Sequence, residues 1–192
     1  MEAYDAFEDP YAYPGTTVLK NLLGIRDQAT LDAFELEIST LRAEDPLPDG
    51  EFDAAHYRNI HRHLFQDVYE WAGQYRTVRT SKGGHAFCYP EYIAAQMDGL
   101  FQHLRRGEIF IALRSDAFIF EIAQFLEQIN AIHPFREGNG RVQLAFIGLI
   151  GATFNHPLDF EKLCHAEFLN AMIASFSGNL DPLIDELKML LI

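Results

Sequence analysis

The stretch of residues 131–144, AIHPFREGNGRVQL, constrains this chain more than any other part of it. It follows a strongly apolar segment, residues 116–132, and leads into a second apolar segment, RVQLAFIGLI. Both segments have the composition of buried helices. Pro134 disfavours helical backbone at His133, which predicts that the first helix stops there. Two buried helices are therefore joined by a short polar loop that is poor core material.

Glycines on both sides of Asn139 are typical of an anion-binding loop. Gly138 and Gly140 lack a Cβ, so they reach positive φ at little cost and let successive backbone N–H groups converge. The residues after Gly140 favour helix, so these N–H groups would lie at a helix N-terminus. Unpaired donors and the helix dipole attract phosphate there. The loop is therefore predicted to bind a phosphate group.

Residues 133–141, HPFREGNGR, resemble the signature of Fic-domain proteins. That signature reads H, any residue, F, any residue, D or E, then GNGR, two more residues and a second R. Residues 61–76, HRHLFQDVYEWAGQYR, resemble the same family, and residues 9–25, DPYAYPGTTVLKNLLGI, resemble its toxin-type members. The resemblance implies an all-α Fic fold and transfer of AMP from ATP to a hydroxyl of a target protein.

The motif offers a candidate for each chemical task of such a transfer. His133, with an ordinary pKa of about 6.5, is the candidate catalytic base for the hydroxyl proton. Glu137, the only carboxylate of the motif, is the candidate ligand for Mg²⁺. Phe135 is predicted to anchor the loop in the core, whereas Arg136 has no role that we can derive. The candidates for binding the phosphates of ATP, through backbone amides, a carboxamide and a guanidinium, are Gly138, Asn139, Gly140 and Arg141.

The match to the family signature fails at Leu144, which stands where the second Arg is expected. By resemblance, that Arg binds the terminal phosphate of ATP and can also pair with an inhibitory Glu. A Leu can do neither. We therefore expect weaker ATP binding, by about 1.5–3 kcal/mol for one charge-assisted contact, unless Arg79, Lys82 or Arg136 substitutes.

Residues 76–90, RTVRTSKGGHAFCYP, predict a β-hairpin, because Thr and Val favour strand and Gly83-Gly84 is a turn signal. An isolated hairpin leaves an unpaired edge that can pair with another extended chain. The resemblance implies that this hairpin is the flap, which aligns the target segment beside the active site. Lys82 and Gly83 near the tip and Phe87 on the return limb are the candidate contacts to target and nucleotide.

Hydrophobic periodicity in the rest of the chain predicts one domain of seven or eight helices with a single hairpin. We assign residues 1–15 to an N-terminal arm and residues 16–192 to the Fic domain. His61 and His63 are two residues apart and point about 200° apart on a straight helix, so we do not expect them to share a metal ion. The helical segments outside the motif are predicted at 16–23, 27–42, 52–70, 92–106, 116–132, 160–176 and 183–191.

The charge balance excludes some functions. There are 28 acidic and 15 basic residues, for a net charge of −13, which argues against sequence-independent nucleic-acid binding. Cys88 and Cys164 lack CxxC spacing, which indicates reduced thiols in a cytoplasmic protein. We find no signal-peptide pattern and no apolar run near the ~20 residues that span a bilayer, so no membrane partner is expected.

The resemblance also suggests partners and leaves alternatives open. The family's inhibitory sequence, S or T, three residues, E, then G or N, is matched by residues 40–44 only until Asp45. The chain therefore resembles toxin-type members, which are inhibited by a separate small antitoxin, and whose targets make a bacterial type II topoisomerase plausible here. Two alternatives remain: a Fic-type transferase with a different donor, and a degenerate domain that only binds a partner, which Leu144 favours.

Overall fold

The computed structural model describes residues 9–82, 85–105, 110 and 113–192. Seven α-helices account for most of these residues, so the predicted all-α class is confirmed. Within the described ranges, every helix is too short or too polar to cross a membrane. The helices are α1 Gln28–Glu44, α2 Ala54–Phe65, α3 Pro90–Arg105, α4 Ser115–Ile132, α5 Asn139–Thr153, α6 His165–Phe176 and α7 Asp181–Leu190.

Helix α4 lies at the centre of the fold and contacts α3, α5, α6 and α7. Its sequence is apolar on most of its circumference, as a helix with neighbours on several sides requires. It ends at Ile132, as Pro134 predicts, and the His133 N–H makes the last helical bond, 2.9 Å to the Ile129 carbonyl. The side chains that α4 buries are Phe118, Ile119, Ile122, Ala123, Phe125, Leu126, Ile129 and Ile132.

Aromatic rings fill the space between α2, α4 and α5. Phe146 of α5 makes an edge contact with Tyr57 of α2, with ring centroids 5.1 Å apart, and lies 5.5 Å from Phe125 of α4. Phe135 is fully buried and stacks on Tyr57 at 5.8 Å. The prediction that Phe135 anchors the loop in the core is confirmed. The loop of residues 133–138 is thereby held on a rigid aromatic base.

The N-terminal segment differs from the prediction, because residues 16–23 form no helix. The chain turns back at Gly15, whose φ is +71°, and Ala12 pairs with Leu19 in an antiparallel bridge. The Thr16 hydroxyl accepts a 3.2 Å bond from the Val18 N–H, a local bond that competes with helix. The segment ahead of α1 is therefore extended and doubled back.

Several predicted boundaries also move. Helix α2 ends at Phe65 rather than at residue 70, and α5 continues to Thr153. The helix predicted at 160–176 is a 3₁₀ turn, Phe160–Lys162, followed by α6. Each shift occurs where residues with weak local preference take the conformation that their tertiary neighbours favour.

Two short strands lie in the segment predicted as a hairpin. Strand β1, Ser81–Lys82, pairs antiparallel with β2, His85–Ala86, so that Ser81 is opposite Ala86. The turn residues Gly83 and Gly84 lie outside the described residues. The role of this segment as a flap stays a prediction.

Candidate active site

His133 lies where α4 gives way to the loop, in a left-handed backbone conformation with φ 49° and ψ 62°. A non-glycine residue adopts this conformation at a cost of about 1 kcal/mol, and it is common at functional sites. The imidazole ring lies parallel to the ring of Phe87, with centroids 3.9 Å apart and planes 5° apart. Phe87, a predicted target or nucleotide contact, therefore directly contacts the candidate base.

The two glycines of the loop differ in conformation. Gly138 precedes α5 with φ +81°, as predicted, and a Cβ there would lie 2.4 Å from two carbons of the Phe65 ring. Gly140 is part of the first turn of α5, with no positive φ, and a Cβ there would meet nothing within 4 Å. The expectation that both glycines use positive φ is therefore wrong for Gly140. The helix begins at Asn139, two residues earlier than predicted.

The Asn139 side chain stabilises the loop internally. Its Oδ1 accepts a 3.0 Å bond from the Phe135 N–H, and its Nδ2 donates a 2.8 Å bond to the Phe135 carbonyl. The residue is 3% exposed. Oδ1 and one N–H of Nδ2 therefore bond to Phe135, which leaves the second N–H of Nδ2 as the candidate donor to a phosphate; that role stays a prediction. The backbone N–H groups of Asn139, Gly140 and Arg141 lie in the first turn of α5, where a helix has no internal acceptors for them.

Glu137 fits a magnesium ion that takes most of its ligands from elsewhere. Its side chain is 45% exposed at the loop, and its Oε1 accepts a 2.8 Å bond from the Gly138 N–H. Among the residues that the structure describes, His, Cys, Asp and Glu form no cluster of three that could hold a metal. A single accessible carboxylate suits Mg²⁺, which prefers phosphate oxygens and water for its remaining positions.

Arg141 is held by residues of α1 that the sequence analysis did not identify. Its Nη2 donates to the Glu35 carboxylate and its Nη1 donates a 3.0 Å bond to the Ser39 hydroxyl. Its guanidinium also lies over the Phe65 ring, 4.7 Å from the ring centroid. Both terminal nitrogens of the predicted phosphate-binding Arg141 are therefore engaged with α1.

Glu35 is the centre of this cluster, because it also accepts a bond from the Tyr69 hydroxyl. Burial, with the adjacent Glu35 carboxylate as a further cause, raises the pKa of Tyr69 far above its ordinary value, so Tyr69 remains a donor. The signal was present in the sequence: Glu35 and Ser39 follow Leu31 at four-residue spacing, on the buried stripe of α1. Polar residues on such a stripe need a buried partner.

His61 of α2 supports the loop from the other side. Its Nδ1 accepts a 2.9 Å bond from the Gly73 N–H, so the ring proton is on Nε2, which donates a 3.0 Å bond to the Glu137 carbonyl. The ring is fully buried and stacks on Phe135 at 3.8 Å. Burial and, to a smaller extent, the charge of Arg141 lower the pKa of His61 from 6.5 to about 3.

This depressed pKa predicts a specific loss of stability in mild acid. The unfolded chain protonates His61 near pH 6.5, whereas the folded chain protonates it only near pH 3. Its contribution is therefore fully present above pH 6.5 and decreases as the pH falls toward 3, by about 1.4 kcal/mol per pH unit. Urea unfolding at pH 7, 6 and 5 measures this slope. In His61→Gln the slope should be smaller by this amount, and equal slopes in the two proteins would contradict the assignment.

The candidates for replacing the missing arginine at Leu144 are in part engaged elsewhere. Arg136 donates from Nε and Nη2 to the Asp9 carboxylate, at 2.8 and 2.6 Å. The Arg79 guanidinium lies 4.1 Å from the centroid of the Tyr89 ring. The backbone of Lys82, the third candidate, is in β1. Gly83, the predicted target contact beside it, is outside the described residues. Leu144 itself is half-buried and packs against the core.

Comparison with known proteins shows the family of this chain. The profile of the Fic/DOC family matches residues 51–150. A protein of Sinorhizobium fredii named "Probable protein adenylyltransferase" is 51% identical over 98% of this chain and 98% of its own length. The protein adenylyltransferase VbhT of Bartonella schoenbuchensis is 35% identical over 94% of this chain, which spans 38% of that protein.

A solved structure has the same fold. The crystal structure of the BepC protein of Bartonella tribocorum, a VirB-translocated effector with bound AMPPNP, aligns with a TM-score of 0.87. It is 27% identical, and the alignment covers 95% of this chain and 96% of that one. With its signature loop between two buried helices, its family match over half of its length and its close relative of full length, this chain belongs to the Fic/DOC family.

Proposed function

We propose that this protein transfers AMP from ATP to a hydroxyl of a target protein, with the loop of residues 133–141 as the active site. The observation that carries the proposal is the position of His133 at the end of α4, five residues before the anion-binding geometry at Gly138. The names of the relatives at 51% and 35% identity and the AMPPNP in BepC support the same activity and donor.

The chemistry assigned to His133 is general base catalysis. The hydroxyl oxygen of the target attacks the α-phosphorus of ATP, and its proton passes to the imidazole. The bond between the α-phosphorus and the bridging oxygen breaks, and pyrophosphate leaves with the electron pair. His133 suits this role because the stacked Phe87 ring fixes the plane of the imidazole, and the left-handed backbone fixes the direction in which the side chain leaves the main chain.

The start of α5 is the proposed phosphate site. The backbone N–H groups of Asn139, Gly140 and Arg141, with the helix dipole, bind the α- and β-phosphates. The Gly138 N–H, also a candidate, bonds to the Glu137 carboxylate in this structure. Mg²⁺, held by Glu137, would neutralise negative charge on those phosphates when bound. The Arg141 guanidinium bonds to Glu35 of α1, which fixes its position. We assign to it an electrostatic role, in which its positive charge stabilises the leaving pyrophosphate.

The strand pair β1 and β2 is the proposed flap. An extended segment of the target would add to its free edge and bring a Ser, Thr or Tyr hydroxyl to His133. Phe87 supports this placement because its ring lies against His133 while its N–H bonds to the Thr80 carbonyl at 3.1 Å. Lys82 and Gly83 remain the proposed target contacts near the tip.

The test is label transfer in a bacterial lysate. Purified protein is incubated with Mg²⁺ and ATP labelled either at the α- or at the γ-phosphate. A protein band labelled only from the α-position is expected, and mass spectrometry of that band identifies the target residue. A band labelled from the γ-position would instead identify a phosphate transferase. No band from either label, even in Leu144→Arg, would overturn the transferase proposal.

Leu144→Arg is expected to strengthen ATP binding by about 1.5–3 kcal/mol, which is roughly 10- to 150-fold in Kd. The reason is that Arg136 and Arg79 are engaged with Asp9 and Tyr89 and do not replace the missing side chain. Isothermal titration with ATP and with ADP measures the effect. Leu144→Met is the matched control, since it keeps the volume without a charge. An equal gain for ATP and ADP would contradict a contact with the terminal phosphate.

From the family resemblance we also propose that the protein is a toxin inhibited by a separate antitoxin, and that its target is a type II topoisomerase. Leu144 also keeps the second candidate open, a domain that binds a partner with little catalysis. Identification of the labelled band separates these possibilities. The cytoplasmic location remains a prediction.

A further inference from the structure

Arg76 is the largest fully buried side chain of the described residues, with 2% exposure. It is the last residue of the second stretch of family resemblance, residues 61–76, and has no role in the reaction described above. Its Nε donates a 2.8 Å bond to the His133 carbonyl, and one Nη2 bond of 3.2 Å goes to the Ile132 carbonyl. The same Nη2 donates a second hydrogen bond, of 2.6 Å, to the Cys88 carbonyl, and Nη1 donates a 2.7 Å bond to the Val78 carbonyl.

These four carbonyls belong to two different parts of the site. Ile132 and His133 are the end of α4 and the candidate base. Val78 and Cys88 lie on the two limbs of the proposed flap, one before β1 and the other after β2. One guanidinium therefore bonds to both limbs of the flap and to the backbone of the base at the same time.

Main-chain bonds reinforce the same junction. The Arg76 N–H donates a 2.9 Å bond to the Pro134 carbonyl, on the far side of His133. The Cys88 N–H donates a 3.0 Å bond to the Ala131 carbonyl of α4. His133 is thus bracketed by bonds to its neighbours on both sides, which explains how its left-handed backbone, φ 49°, is maintained.

The partners of Arg76 are backbone carbonyls, so its side chain positions these groups rather than neutralises a charge. The ion pairs found within the described residues do not include Arg76. A planar fork with five N–H donors suits several carbonyls in fixed directions, whereas a Lys has one compact donor group. An apolar residue of the same size would fill the space but would leave the carbonyls of both limbs without this donor.

We propose that Arg76 is the positioning residue that fixes the flap relative to His133, so that a target segment on the flap edge presents its hydroxyl to the base. The inference rests on the proposed function for its catalytic consequence, but the junction itself can be tested without any transfer assay. Displacement of a reacting group by about 1 Å costs about 10²-fold in rate. The parallel contact between the Phe87 and His133 rings should be lost together with the junction.

Cys88 provides a probe of the junction, because it lies half-buried on the return limb, while Cys164, the other cysteine, is exposed. In a Cys164→Ser background, the rate at which iodoacetamide alkylates Cys88 reports the exposure of the limb. Burial raises the pKa of the Cys88 thiol and the charge of Arg76 lowers it, so the comparison with Arg76→Lys, which keeps the positive charge, is the decisive one. Arg76→Lys and Arg76→Met should raise this rate about tenfold or more at 15 °C. Arg42→Met is the control, since it removes a half-buried Arg bonded to Asp67, far from the junction in sequence. A folded Arg76→Lys that alkylates at the wild-type rate overturns the proposal.

Kinetics separate positioning from general stabilisation. In Arg76→Lys we expect kcat for AMP transfer to fall about 10²-fold, with the KM for ATP changed less than threefold, because the phosphate site at α5 is untouched. A role in stability alone would lower the thermal midpoint and leave kcat at 15 °C unchanged, which contradicts the proposal. If the wild-type protein transfers no AMP, the proposed function fails, and the alkylation rates still decide the role of Arg76.

Native-state hydrogen exchange on the wild-type protein needs no variant. It tests whether Arg76 joins the flap to the backbone of His133 even if both Arg76 variants fail to fold. The N–H groups of Arg76, Phe87 and Cys88 all bond across this junction or within the flap. They should exchange with one shared opening free energy. Clearly different values for Arg76 and Cys88 would overturn a common junction.

Discussion

Replacement of His133 by alanine is expected to lower the rate of AMP transfer by about 10²–10⁴-fold, the range that a general base contributes. The residue is the only imidazole of the signature loop, and its ring is held against Phe87 in a fixed plane. Initial rates with the identified target, at saturating ATP, measure the effect. The nucleotide affinity should change less than threefold, because the proposed phosphate site lies at the start of α5 rather than at the His133 ring.

Controls for this prediction follow from the backbone of His133. Asn tolerates the left-handed conformation better than most residues, so His133→Asn keeps the loop geometry while it removes the base. Both variants should unfold within a few degrees of the wild type. A His133→Asn protein with full transfer activity would show that the hydroxyl proton goes elsewhere, and the assignment of the base would be wrong.

Gly138→Ala is expected to lower the free energy of unfolding by about 2–5 kcal/mol and to abolish measurable nucleotide binding. The left-handed backbone costs an alanine about 1–2 kcal/mol. The added Cβ would lie 2.4 Å from carbons of the buried Phe65 ring, and relief of such a clash costs about 1–3 kcal/mol. The ring cannot move freely, because it also contacts His61, 4.7 Å away, and supports Arg141.

Gly140→Ala is the matched control, with the same chemical change two residues later. The position is helical and open, so alanine should be neutral or stabilising by about 0.5–1 kcal/mol. Urea unfolding gives both free energies, and titration with ATP gives the affinities. Any loss of ATP binding in Gly140→Ala, with stability kept, would show that the phosphates approach this Cα closely. Equal stability of the two variants would contradict the geometry at Gly138.

Local features of the site could be predicted from the sequence. Pro134 ends α4 at Ile132, and Gly138 supplies the positive φ that begins α5. Both depend on steric rules that act within a few residues. The predictions failed where local preference was weak: residues 16–23 form a turn and a bridge rather than a helix, and Gly140 is helical although it is free to be otherwise.

The partners of the residues that support the loop could not be predicted, because they are distant in sequence. Glu35 and Ser39 meet Arg141 across more than a hundred residues, and Arg76 meets the His133 carbonyl across 57. No periodicity specifies which buried polar side chain will face which carbonyl. Such pairs depend on how α1, α2 and α5 pack against one another.

Residues close together in the chain were enough to predict the chemistry proposed for this protein: a candidate base, a candidate metal-binding carboxylate and a predicted anion-binding turn occur within nine residues of the signature loop. Spacing and steric rules suffice for that, because the residues are neighbours in the chain. How the loop is held depends on tertiary contacts: Asn139 bonds to Phe135, His61 to Glu137 and Arg76 to His133. Buried donors must find acceptors in the folded state, and helix packing selects which ones they find.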